Sequence, residues 1–125
     1  MLINEITGII IEESIKIHKD LGPGLLESVY EEVLYYRLTK RGLKVMRQVP
    51  IPVYYEEVKM EIGFRADLIV EDSVIVEIKS IEKVPPVHYK IALTYLRLTS
   101  ITVGLLINFN EVLLKNGIKR IVNNF

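Results

Sequence analysis

The sequence predicts a mixed α/β domain in which helices flank a central mixed β-sheet, with elements in the order ααβββαβββ. Three observations carry this expectation. Apolar residues recur at helical spacing through the first 40 positions. After Gly42 the pattern changes to period two. A further helical stretch, opened by Pro85-Pro86, then separates the early strands from the late ones.

In the first helix, Ile3 to Leu21, the residues Ile3, Ile6, Ile10, Ile17 and Leu21 form one stripe, with Glu12, Glu13, Lys16 and Lys19 elsewhere on the wheel. Gly22-Pro23-Gly24 ends it, because Gly supplies the left-handed exit and Pro cannot continue a helix. A second helix is predicted from about Leu25 to Lys40, with Leu26, Val29, Val33, Leu34 and Leu38 on its apolar side. Leu43 to Val49 then alternates as a strand, which Pro50 and Pro52 interrupt, and Ile51 to Met60 continues as a β-branched and aromatic stretch. Phe64 to Val70 and Val74 to Ser80 read as a hairpin closed by Glu71-Asp72-Ser73. The third helix covers about Val87 to Leu98, and Ile101 to Phe109 is a buried-type strand. A short strand is expected around Val112 to Leu114, with Asn116-Gly117 as a hairpin turn into Ile118 to Val122.

The 125 residues suit one domain spanning 1–125, and half are apolar, enough for a real core. There is no Cys, which excludes disulfides, a thiol nucleophile and thiolate metal sites. Only two His are present, at 18 and 88, too few for a His-rich zinc site. Lys and Arg total 16 and Asp and Glu total 16, so any nucleic-acid contact must come from a local patch. No segment reaches the roughly 18 apolar residues of a membrane span, and the N-terminus lacks a secretory pattern. The expected compartment is the cytoplasm.

The Phe64–Ser80 hairpin carries the chemistry. A three-residue loop pairs Val70 with Val74, Leu68 with Val76 and Ala66 with Ile78, so both apolar sets share a face. The same register sets Asp67 opposite Glu77 and Arg65 opposite Lys79. Like charges directly across a strand pair are destabilising. A solvated face with diagonal Asp67–Lys79 pairing is one reading. The other is a divalent cation held between two hard carboxylates, magnesium or manganese by donor type. Residues 77 and 79 would project on one face roughly 6.6 Å apart.

Asp67, followed after nine residues by Glu77-Ile78-Lys79, resembles the D-x(n)-ExK signature of the PD-(D/E)XK nuclease superfamily. Gly24-Leu25-Leu26-Glu27-Ser28-Val29-Tyr30 resembles a second motif, that of the GxxExxY family within it. The segments 21–24, 64–70 and 104–109 are similar to that family too, so the likeness spans nearly the whole chain. It implies a restriction-endonuclease-like core, α-β-β-β-α-β, contained in the order above. It further implies that Asp67, Glu77 and the Ile78 carbonyl bind Mg2+ or Mn2+, and that Glu27 extends the shell. Lys79 would position or activate the attacking water. Glu27 also reads as a simple charge in the first turn of a helix, where the macrodipole keeps a carboxylate ionised. Tyr30, a helix-face neighbour of Glu27, could orient it, contact phosphate or join the core. There is one departure. Where relatives carry a glutamine on the third helix, this chain has Ile91, after His88-Tyr89-Lys90.

Arg37, Lys40, Arg41, Lys44 and Arg47 place five cations within 11 residues with no acid among them. They could track a nucleic-acid backbone or complement a helix C-terminus. The function implied is a metal-dependent nuclease acting on DNA or RNA. The alternative is a catalytically inactive nucleic-acid-binding or oligomeric accessory protein that retains the nuclease fold. Tyr54 and Tyr55, with Tyr35 and Tyr36, are candidates for a homodimer interface.

Overall fold

A computed structural model describes residues 1–124. Its helices are α1 (Ile3–Leu21), α2 (Glu27–Lys40) and α3 (Pro86–Thr99). Its strands are β1 (Val45–Ile51), β2 (Tyr54–Tyr55), β3 (Val58–Lys59), β4 (Phe64–Val70), β5 (Val74–Lys79), β6 (Val103–Asn108) and β7 (Ile118–Val122). Five strands build one mixed sheet in the order β1-β4-β5-β6-β7. Only β5 and β6 run parallel, and α3 makes the crossover that a parallel pair requires. The mixed α/β architecture is the one expected.

Two apolar layers sandwich the sheet. Ile6, Ile10 and Ile17 of α1 and Tyr30, Leu34 and Leu38 of α2 pack on Leu68, Val70, Val74, Val76, Ile78, Leu105 and Ile107. Tyr95 and Leu96 of α3 pack on Ile51, Ala66, Ile69 and Ile75 from the other side. Covered on both faces, β6 is buried throughout and β5 along all but its last residue, Lys79.

Several elements differ from the sequence expectation. Helix α2 starts at Glu27 rather than Leu25, because the Leu25 N–H is taken by the Tyr30 hydroxyl, which itself donates to the Gly22 carbonyl at 2.6 Å. With its hydroxyl satisfied, Tyr30 goes inside and stacks on Phe109 at 4.4 Å, while Leu26 and Val29 stay exposed. The 51–60 stretch is not one strand. β1 ends at Ile51 and a detached hairpin, β2–β3, follows Pro52, which lacks an N–H. Its turn residues Glu56 and Glu57 both have positive φ, the pattern of a two-residue hairpin loop.

The short strand expected at 112–114 is absent, and Asn116-Gly117 is no hairpin turn. Leu114–Gly117 forms a 3-10 turn that leads into β7. Glycine is needed at 117 for a different reason: a Cβ there would lie 2.5 Å from the Asn108 carbonyl oxygen.

Candidate active site

The β4–β5 ladder has the register read from the sequence: Val70 faces Val74, Ile69 faces Ile75 and Leu68 faces Val76. The ladder then opens at Asp67 and Glu77, and their side chains take over the backbone bonds. Asp67 Oδ2 accepts the Ile78 N–H at 2.8 Å, and Glu77 Oε1 accepts the Asp67 N–H at 3.3 Å. The expected Ala66–Ile78 pairing does not form. Ala66 lies in the α3-side cluster and Ile78 in the α1/α2-side cluster, so the inside–outside alternation slips a step at Asp67. β1 slips at the same level. Gln48, at the position facing Asp67, has φ +49°, and Arg47 and Gln48 in succession both reach Glu31 on α2. A left-handed residue inside a strand locally turns the chain and re-aims its side chains, as a bulge does.

This break turns Asp67 toward the start of α2. Asp67, Gln48, Glu27, Ser28 and Glu31 line one pocket of about 380 Å³. A second, of about 480 Å³, lies against Gly24, Leu25, Leu26, Ser80 and Asn110 and shares Glu27 and Ser28 with it. Glu27 is exposed and accepts the Ser80 N–H at 3.4 Å, while the Ser80 hydroxyl donates to the Leu25 carbonyl. Asn108 pins the exit from β5, accepting the Ile81 N–H and donating to the Ile81 carbonyl at 2.9 Å.

Electrostatics mark the pair. Burial, then the negative charge of Asp67, push the Glu77 carboxyl up to about 9, against the pull of Lys79. Burial also raises Asp67, as does Glu31, while the Ile78 N–H and Lys79 oppose the rise. Tyr95, on α3, is raised by burial and then by the charges of Glu77 and Asp67, so its hydroxyl stays neutral. A buried carboxyl and a half-buried one that repel each other suit a hard divalent cation, so Glu77 and Asp67 fit one. The Ile78 carbonyl points to the same side. The Lys79 carbonyl accepts from the Phe109 N–H just past β6 and the Ile78 N–H reaches Asp67 on β4, so strand alternation turns the backbone groups of Ile78 toward β4. Glu27 does not close in on the pair. Among the described residues, no three His, Cys, Asp or Glu side chains gather closely enough to hold an ion.

A family model of the PD-(D/E)XK nuclease superfamily matches residues 4–121. The chain belongs to the PD-(D/E)XK nuclease superfamily. Neither a curated protein nor a solved structure matched it. The PD-(D/E)XK assignment supports a nuclease-like function and a nucleic-acid substrate, and superfamily members generally use divalent metals. No helix among the described residues is long and apolar enough to cross a membrane.

The other expected site residues are placed as follows. Tyr30 is fully buried and cannot meet a phosphate; it shapes the loop before Glu27. The cations at 37–47 are mostly engaged. Arg37 and Arg41 each hold the buried Glu13 at 2.7 Å, Lys44 pairs with Asp72, and Arg47 pairs with Glu31 and Glu32. Lys40 lies over the Tyr36 ring. Ile91 is half-buried against the α3-side cluster, a packing position in this chain. Glu31 and Gln48 went unread in the sequence. Glu31 carried a signal, one turn past Glu27 on the same helix side. Gln48 carried none, because glutamine is not a residue that favours a left-handed backbone.

Proposed function

We propose that this chain is a metal-dependent nuclease of the GxxExxY type, hydrolysing phosphodiester bonds in DNA or RNA. The observation that carries the reading is the pairing of half-buried Asp67 with buried Glu77 at the point where β4 and β5 separate, with Lys79 two residues on and on the same strand side. Asp67, Glu77 and the Ile78 carbonyl would hold magnesium or manganese, and Glu27 would reach the shell from across the pocket. Such an ion, when bound, supplies Lewis acidity toward phosphate and lowers the pKa of a water. The Lys79 ammonium, already felt by both carboxyls, orients the nucleophile and offsets charge developing on the phosphate. The Arg37–Arg47 stretch remains a proposed backbone contact, through whatever charge its ion pairs leave outward. A homodimer through the exposed Tyr54–Tyr55 hairpin and a cytoplasmic location complete the proposal.

The test is single-turnover cleavage of labelled single- and double-stranded DNA and RNA with Mn2+, beside a binding titration. A positioned catalytic group contributes about 10²–10⁴-fold, so Lys79→Ala should lose at least about a hundredfold in rate while keeping substrate binding. Lys79→Arg should not restore it, because a wide guanidinium cannot take the place of a compact ammonium. Binding without cleavage of any of the four substrates by the wild type would instead support the accessory-protein reading, to which the loss of an amide at Ile91 lends weight.

A further inference from the structure

The backbone of Gln48 and its side chain ask for one explanation. Its φ of +49° lies in the left-handed region, which non-glycine side chains adopt at a cost, and it does so inside a strand whose ladder with β4 is paired on either side of it. What the conformation achieves is visible in the hydrogen bonds. The side-chain amide leaves its alternating position and turns toward α2, where Nε2 donates to Glu31 Oε1 at 2.7 Å and to Asp67 Oδ1 at 3.4 Å. Glu31 is itself held, by Arg47 at 3.2 Å, and is nearly buried. The Gln48 carbonyl, freed from its regular direction, accepts from Arg65 Nη1 at 3.3 Å. One amide group therefore stands between two carboxylates that would otherwise face each other directly, and ties Asp67 to the rigid frame of α2. The Ile78 N–H holds the second Asp67 oxygen at 2.8 Å, so both oxygens of that carboxylate have an assigned direction.

We infer that Gln48 is a positioning residue for Asp67: its left-handed backbone and bridging amide orient the carboxylate for a divalent cation. The inference rests on the nuclease reading above. Such outer partners of a metal-ligating carboxylate typically govern about 10–100-fold in metal affinity or activity.

Two variants separate positioning from folding. Gln48→Gly relieves the left-handed backbone but also removes the amide that Glu31 and Asp67 share, so the opposed effects should leave the metal-free melting temperature close to that of the wild type. Gln48→Asn keeps the amide and a tolerance for positive φ but is one methylene too short to bridge Glu31 and Asp67. Both should raise the Mn2+ midpoint, read from the metal-induced rise in melting temperature, by at least about tenfold. Both should lower the single-turnover rate at saturating Mn2+ with the nucleic-acid Kd unchanged. An unchanged Mn2+ midpoint in Gln48→Gly, with wild-type cleavage intact, would overturn the inference and leave the nuclease reading standing. A Gln48→Gly protein that melts lower than the wild type, beside a Gln48→Asn protein with a normal Mn2+ midpoint, would mark Gln48 as a folding residue and equally overturn it. A wild type that neither responds to Mn2+ nor cleaves would overturn the nuclease reading, and this inference with it.

Discussion

Without metal, Glu77 keeps its proton to about pH 9, because burial and the Asp67 charge both disfavour its ionised form. In the unfolded chain the same group ionises near 4.5. Between those values the folded state binds a proton that the unfolded state has lost, so stability falls as pH rises, by up to about 1.4 kcal/mol per pH unit for one such group. The metal-free wild type should therefore melt lower at pH 8 than at pH 5.5. Glu77→Gln should flatten that dependence and melt higher than the wild type at pH 8. A cation must displace the proton, so Mn2+ affinity should climb steeply from pH 6 to pH 8.5, with proton release seen by calorimetry in buffers of different ionisation enthalpy. Equal affinity at both ends of that range would mean that Glu77 is not a ligand.

Helices α1 and α2 are joined by a buried acid as well as by apolar packing. Glu13, 3% exposed, receives Arg37 Nε and Arg41 Nη1, both at 2.7 Å. Burial alone would raise its pKa, but the two guanidinium groups outweigh it and hold the carboxyl below its ordinary value. The stability this contributes is present above the unfolded pKa and is lost as pH falls through the depressed one. Removing both cations, as Arg37→Leu with Arg41→Leu, leaves Glu13 buried and unpaired, and should cost about 3–5 kcal/mol in denaturant unfolding. Glu13→Gln should cost less, since both arginines can turn to water. The pair of results would show that this stretch of cations belongs first to the fold. Equal small losses would return it to the surface, free for nucleic acid.

For the molecule as a whole, a ligand that binds only the folded state stabilises it by mass action. Millimolar Mg2+ or Mn2+ should raise the wild-type melting temperature. Asp67→Asn should melt as high as the wild type or higher without metal, and lose most of that response. The β2–β3 hairpin poses a separate question of assembly. Isolated two-stranded hairpins are marginal in water, and this one exposes Tyr54, Tyr55 and Val58 by 60%, 68% and 59%. If a second copy covers it, light scattering should report a dimer, and Tyr54→Ser with Tyr55→Ser should yield a folded monomer. A wild type that is monomeric at high concentration removes the idea.

By itself the sequence determined the local grammar: two helices broken at Gly22-Pro23-Gly24, and a hairpin whose register holds from Val70–Val74 to Leu68–Val76, next to Asp67 and Glu77. These depend on spacing and turn chemistry, which are written in consecutive residues. The tertiary structure alone decided three things. It turned Tyr30 inward, because the Gly22 carbonyl was there to receive its hydroxyl. It engaged four of the five 37–47 cations in ion pairs, because their acid partners lie on α1, on α2 and in the β4–β5 turn, up to 29 positions away in the chain. It also slipped β1 and β4 by one step at Gln48 and Asp67. A strand written as regular alternation keeps its side chains on fixed faces. Only contacts with Glu31, across the gap to α2, can offset the cost of turning Gln48 left-handed and aiming Asp67 into the pocket.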